Sequence, residues 1–130
     1  MGKVILDSNF LFIPFQFKID ILEELKNLVG KFEPVVLSST IEELEKLATE
    51  KTEKTRRQAL SALRLTERCT VVNVEIGPTE SYDDVIVRKA KEWNCSVATN
   101  DRELRRRLRV ELISVIYLRQ KKRLELEGYI

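Results

Sequence analysis

The sequence predicts an α/β fold in which a parallel sheet carries helices on both faces. Short apolar runs with the character of buried strands alternate with longer stretches of helical period, in the order β, α, β, α, α, β, α, β, α, β. No repeat, low-complexity tract or domain boundary interrupts them. The 130 residues, 43% apolar and 34% charged, suit one globular domain with a substantial core.

Each element has a local reason. Lys3-Val4-Ile5-Leu6 is a β-branched apolar run that reads as a buried strand, and it ends on Asp7, a carboxylate that packing does not require. In open parallel sheets the ligand crevice lies outside the carboxyl ends of the strands, so Asp7 is a candidate ligand or catalyst. Asp7, Ser8 and Asn9 can equally serve as turn formers. Phe10 to Phe17 reads as a proline-bearing loop whose phenylalanines 10, 12, 15 and 17 cover a core edge, with base stacking by one ring as the alternative. Ile21, Leu22, Leu25, Leu28 and Val29 share one helix face, which Gly30 ends.

Pro34 to Leu37 is the second strand. Ser38-Ser39-Thr40 opens a helix carrying Ile41, Leu44, Leu47 and Ala48, and a further helix spans roughly Glu53 to Arg68. Val71 to Val74 is the third strand and Gly77-Pro78 a loop. Tyr82, Val85, Ile86, Ala90 and Trp93 mark an amphipathic helix that starts near Ser81. Ser96 to Thr99 is a strand, Asp101 to Leu108 a helix with Leu104 and Leu108 one turn apart, and Leu112 to Tyr117 the last strand. The segment Arg119 to Glu127 reads as a basic tail, helical, with a loose end.

Composition narrows the chemistry. There is no histidine, which removes imidazole bases, Ser-His-Asp and Cys-His triads and the usual zinc sites. Cys69 and Cys95 are far apart, without metal-ligand spacing, and are expected to be reduced. No apolar run is long enough to span a bilayer, and Met1 leads directly into the first strand, so a cytoplasmic protein without a membrane partner is expected. Net charge is +2, yet residues 102–123 hold nine Lys or Arg against Glu103 and Glu111, a local excess of +7 that leaves −5 for the rest. A basic face for a polyanion and an acidic part for cations would produce this asymmetry. So would a solvated charged helix.

Four places put carboxylates where strand ends and helix starts meet: Asp7, Glu42/Glu43, Asp83/Asp84 and Asp101. Asp83 lies three and seven residues before Ile86 and Ala90 and so on their buried stripe, whereas Asp84 shares a face with Arg88 and Lys91 and reads as the N3 partner of a Ser81 cap. Ser39 with Glu42 and Thr40 with Glu43 are both candidate capping boxes, so periodicity does not choose between the two glutamates. Asp101 alone would be an ordinary first-turn acid. Four converging carboxylates repel unless protonated or bridged by a cation. An all-oxygen set selects Mg2+ or Mn2+, ions that promote phosphodiester hydrolysis, and beside a basic stripe the matching substrate is nucleic acid.

Leu6-Asp7-Ser8-Asn9-Phe10-Leu11, Glu43 before Leu44, Asp83 before Ile86, and Val97-Ala98-Thr99-Asn100-Asp101 together resemble the four signature segments of PIN-domain nucleases, in order and over nearly the whole chain. The resemblance implies a three-layer α/β/α sandwich around a parallel sheet of about five strands, over residues 1–118, with 119–130 as a basic C-terminal tail. It implies Mg2+- or Mn2+-dependent cleavage of RNA, with Asp7, Glu43, Asp83 and Asp101 as metal-binding catalytic acids and Ser8 or Thr99 as a supporting hydroxyl. RNA contacts are expected from Arg102, Arg105, Arg106, Arg109, Arg119, Lys121, Lys122 and Arg123.

Ile13 to Phe17 and the basic segments look more like archaeal relatives of ribosomal RNA-processing endonucleases than like VapC toxins, and no appended zinc ribbon is legible. A VapC-type ribonuclease with an antitoxin partner is the alternative enzyme. A non-catalytic RNA-binding PIN scaffold is the alternative outside catalysis. A homodimer or a ribosome-assembly partner is compatible with either enzyme reading.

Overall fold

In the computed structural model, which describes residues 2–128, one six-stranded sheet organises the chain. The strands are β1 (Gly2–Leu6), β2 (Phe32–Leu37), β3 (Thr70–Val72), β4 (Ser96–Ala98), β5 (Val115–Arg119) and β6 (Arg123–Glu127), in spatial order 3-2-1-4-5-6. The first five pair in parallel and β6 pairs antiparallel to β5. The order reverses at β1, so the connections leaving β1 and β4 run to opposite sides at their carboxyl ends, where such sheets place ligands.

Side-chain alternation divides the core into two layers. Val4, Leu6, Val36, Ala98 and Ile116 point to one face, packed under α1 (Ser8–Leu11), α2 (Ile13–Phe17), α3 (Ile21–Val29), α4 (Ser38–Leu47) and α5 (Glu53–Thr66). Ile5, Val35, Leu37, Val97 and Val115 point to the other, under α6 (Tyr82–Trp93) and α7 (Arg102–Val110). Leu104 and Leu108 are fully buried and anchor α7 as their spacing predicts. Among the described residues no helix is long and apolar enough to cross a membrane. Cys69 and Cys95 are free, and burial pushes both thiols up to about 11.

Three local expectations are corrected. The Phe10 to Phe17 loop is two short helices: the Asp7 carboxylate caps the first by accepting the Ser8 N–H, and Pro14 sits in the opening turn of the second. Burial of Phe10, Leu11 and Ile13 supplies the rest, and of the four rings only Phe15 is largely exposed.

Neither capping box forms at α4. Its first helical residue is Ser38, capped by no side chain, and the Ser38 hydroxyl instead holds Val74, accepting its N–H at 2.9 Å.

The segment Arg119 to Glu127, expected as a helical tail, is a hairpin. Leu124 and Leu126 alternate with Glu125 and Glu127, a period of two that lays the leucines on the α3 side of the sheet. Residues 119–127 therefore belong to the sheet, while Tyr129 and Ile130 lie outside the described residues. Leu124 is 7% exposed. Leu124→Ala is expected to cost about 2 to 3 kcal/mol in denaturant unfolding, as a large-to-small change in a core does. The same change in a solvated tail would stay within about 0.5 kcal/mol.

Candidate active site

The strand ends deliver the acids. Ladder pairing continues one residue past β1, the Asp7 N–H donating to the Ala98 carbonyl at 3.0 Å, and this fixes the Asp7 backbone beside β4. Its side chain is 3% exposed and fully engaged. One oxygen accepts the Ser8 N–H at 2.8 Å; the other accepts the Thr99 hydroxyl at 2.8 Å and the Asn9 amide at 3.0 Å. Thr99 Oγ1 in turn accepts the Asp101 N–H at 3.1 Å. Thr99, expected as a supporting hydroxyl, thus joins the first and last acids directly.

Asn9, read from sequence only as a turn former, and Asn100, given no role there, complete the frame. Asn9 Oδ1 accepts the Asn100 N–H at 2.9 Å, and Asn100 Oδ1 accepts the Leu118 N–H at 2.9 Å, so β1, the β4–α7 loop and β5 are bolted together. Their signal was the amide type itself, flanking an acid at two strand ends, where a side chain that both donates and accepts can satisfy loop backbone.

Asp101 caps α7 by accepting the Leu104 N–H. Glu43 lies one turn beyond the buried Ser39 and is half-buried; Glu42 points outward and pairs with Lys46 at 3.3 Å. The choice between the glutamates is made here by helix facing, not by capping. The capping box at α6 forms as expected, Ser81 and Asp84 each accepting the other's N–H. Asp84 also binds Arg107 at 2.8 Å.

Electrostatics separates the acids by role. Burial pushes Asp7 up from 3.8 to about 7, with the charges of Asp83 and Glu43 adding to the rise and the Thr99 and Ser8 hydrogen bonds opposing it. Burial likewise raises Glu43, the Ser8 hydroxyl beside it opposing and Asp83 and Asp101 adding. Asp83 is raised by burial and by Asp101, against Arg107. Asp84 is held below the usual range by the Ser81 N–H and Arg107. Asp7, Glu43, Asp83 and Asp101 therefore form one chain of mutually repelling carboxylates at the strand ends. Asp84 adds to the rise at Asp83 but is itself paired with Arg107.

The donor set suits a hard divalent cation. It is all oxygen, no basic side chain among the described residues offsets the repulsion at Asp7 or Glu43, and the hydroxyls of Ser39, Thr40 and Tyr82, on the helices that carry Glu43 and Asp83, are buried without a hydrogen-bond partner. Among the described residues no three acidic, Cys or His side chains close into a ligand cage.

Of the expected RNA contacts, Arg102, Arg105, Arg119 and Lys121 line one groove with Phe17, Asn100, Tyr117, Leu118 and Gln120. Arg106 and Arg109 line a second groove with Arg102, Arg105 and Glu127. Lys122 and Arg123 line neither. Several of these cations are already engaged. Arg105 stacks on Tyr117 at 3.6 Å and pairs with Glu127, Arg106 pairs with Glu103, Arg109 donates to the Ile113 carbonyl, and Arg119 and Arg123 share Glu125.

Residues 4–121 match the family described as PIN like domain. Over 133 residues, covering 100% of both chains, the sequence is 37% identical to Ribonuclease VapC4 of Methanocaldococcus jannaschii. It is 31% identical to Ribonuclease VapC9 of Archaeoglobus fulgidus over 123 residues, 95% of this chain and 87% of that one. Among solved structures, the PIN domain endonuclease Utp24 superposes with a TM-score of 0.81 at 28% identity, over 98% of this chain and 92% of that one. VapBC2 from Rickettsia felis, solved with a DNA fragment, shares the fold with a TM-score of 0.65 at 16% identity, over 90% of this chain and 99% of that chain.

Proposed function

The chain belongs to the PIN-like domain family, and from that membership we propose that Asp7, Glu43, Asp83 and Asp101 bind Mg2+ or Mn2+ and carry the catalysis of an endoribonuclease. Hydrolysis of RNA rests on the relatives: two ribonucleases and a PIN domain endonuclease, each similar along most of its length. The observation that carries the site assignment is the run of four coupled carboxylates around the buried Asp7.

A bound divalent ion would supply an activated water and neutralise charge on the scissile phosphate. The chain's own contribution is orientation. Thr99, Asn9 and the Ser8 N–H hold both Asp7 oxygens in one arrangement, so no side-chain freedom is lost when the carboxylate is used. Asp101 is held by its cap at the start of α7. Arg107, by neutralising Asp84 and lying near Asp83, limits repulsion on the α6 side.

The test is cleavage of single-stranded and structured RNA by metal-depleted protein, with and without added Mn2+, comparing wild type with Asp7→Asn. Metal-independent cutting, or an active Asp7→Asn, rejects the site. Binding itself carries a pH signature. A carboxyl raised to about 7 must lose a proton to hold a cation. Apparent Mn2+ affinity is therefore expected to be flat above about pH 7.5 and to fall roughly tenfold per unit below about 7, with proton release seen by calorimetry. An affinity constant between about pH 5.5 and 8 would remove Asp7 from the ligand set.

The biological setting has two readings. Ribosomal RNA processing in the cytoplasm is favoured by the resemblance of Ile13 to Phe17 and of the basic segments to archaeal relatives of ribosomal RNA-processing endonucleases. A VapC-type ribonuclease held by an antitoxin is favoured by the names of both curated relatives. A small neighbouring reading frame whose product binds this chain and stops cleavage decides for the second. Homodimerisation and a ribosome-assembly partner are compatible with either.

A further inference from the structure

The sheet ends on β6, and among the described residues no strand pairs with its outer side. Which backbone groups that edge offers follows from β5. The Ile116 carbonyl accepts the Thr99 N–H at 2.9 Å and the Leu118 N–H donates to Asn100 Oδ1 at 2.9 Å, so both residues turn their backbone toward β4. In an antiparallel ladder, the residue opposite one that turns away from its partner strand also turns away. Leu126 and Leu124 stand opposite Ile116 and Leu118, so their N–H and C=O groups point off the sheet. An edge of this kind is a template for another strand unless its side chains oppose one.

The side chains here oppose most strands and suit one. Lys121, Arg123, Glu125 and Glu127 give the order plus, plus, minus, minus at every second position. Reversed about Leu124, that order is its own complement: Arg123 comes opposite Glu125 of a second copy, and Glu127 comes level with Lys121. A register centred on Glu125 sets that carboxylate against itself, and one centred on Leu126 sets Glu125 against Glu127. Opposite charges support a cross-strand pair and like charges destabilise it, so the charges select the first register. The apolar face agrees, since Leu124, packed beside α3, falls on Leu124 of the second copy.

We infer that β6 is a dimer edge, at which two copies of this chain pair antiparallel through residues 122–126, centred on Leu124, into one twelve-stranded sheet. This does not depend on the nuclease reading, and it names the surface and register that a homodimer would use. It also accounts for Arg123, which lines neither basic groove and within one chain only shares Glu125 with Arg119. Because β6 opposes β5 and the second β6 opposes the first, the parallel strands of the two copies run in opposite directions. Their acids lie at opposite ends of the joint sheet, and neither site takes a residue from the other copy.

Sedimentation equilibrium of the full chain at low ionic strength measures the association. So short an edge makes a small interface, and half-dimerisation is expected between about 10 and 100 μM. Arg123→Glu and Glu125→Arg each set like charges opposite one another at both pairs, and each should weaken the dimer by at least about tenfold. Mixed in equal amounts, the two variants place opposite charges at both pairs, so a dimer of one of each should return with near wild-type affinity. Circular dichroism and melting check that each variant is folded. Should either reversal fail to fold, Arg123→Gln takes its place, and loss of both pairs should weaken association about threefold.

A chain still monomeric at about 500 μM overturns the dimer edge, since even weak specific interfaces associate below that concentration. So does a dimer that these variants leave unchanged, which would sit on another surface, and so do folded reversal variants that fail to recover on mixing. None of these measurements uses RNA or metal. A chain that dimerises without cutting leaves the edge and sinks the nuclease, whereas one that cuts as a monomer sinks the edge and leaves the nuclease.

Discussion

Asp7→Asn is expected to abolish RNA cleavage and, in the metal-free protein at neutral pH, to raise stability. Both effects come from one property, a carboxylate that is 3% exposed, faces the charges of Asp83 and Glu43, and is pushed up to about 7. For catalysis, the amide keeps the shape and loses the ligand charge. The loss should exceed the roughly 10- to 100-fold seen when a group that only orients a ligand is removed, and Thr99→Val should fall within that smaller range.

For stability, a folded pKa raised above the unfolded 3.8 means that folding favours the protonated form. The penalty for keeping Asp7 charged is absent below about pH 4, grows as pH rises toward 7, and is constant above. A shift of about three pKa units corresponds to on the order of 4 kcal/mol. The amide keeps the oxygen that accepts from Thr99 and Asn9 and turns the other corner into a donor facing the Ser8 N–H, which offsets about 1 kcal/mol. Melting in EDTA at about pH 8 should therefore favour Asp7→Asn by roughly 2 to 3 kcal/mol, and the difference should vanish toward pH 4. A variant that is inactive and also less stable at pH 8 would make Asp7 a structural residue.

The second large effect is a contrast between neighbours. Asp83→Asn should reduce kcat/KM by more than about 100-fold, as removal of a ligand does, while leaving the fold intact. Asp84→Asn should change kcat/KM by only a few-fold and lower the melting temperature slightly, because Asp84 completes the Ser81 capping box and pairs with Arg107 on the solvent side. Circular dichroism of both proteins, with steady-state cleavage, makes the comparison. Equal losses in two folded variants would reject the assignment of Asp83 to the inner face.

Asp83 was legible because its face depends only on helical period. The same holds for the α/β alternation, for Leu104 and Leu108, for the Ser81 cap and for Gly30 at the end of α3: each is set within one or two turns of chain. The β6 strand was equally legible and was masked by its charges, since Leu124-Glu125-Leu126-Glu127 alternates with the period of a strand while its Lys and Arg content suggests a solvated tail. At α1 and α2, aromatic residues around a proline resemble a loop until the burial of Phe10, Leu11 and Ile13 is known.

The sequence by itself determined the fold class, the order of the first five strands and of the helices from α3 to α7, and the residue types of the proposed all-carboxylate site. Tertiary structure alone decided which glutamate turns inward, that Thr99 holds Asp7 from 92 residues away, and which arginines are spent on Glu125 and Glu127 before any RNA arrives. The physical reason is range. Periodicity and capping are local, but a carboxylate's pKa and a cation's availability depend on whichever charged or polar group packing brings within a few ångströms, and sequence spacing carries no record of that neighbour.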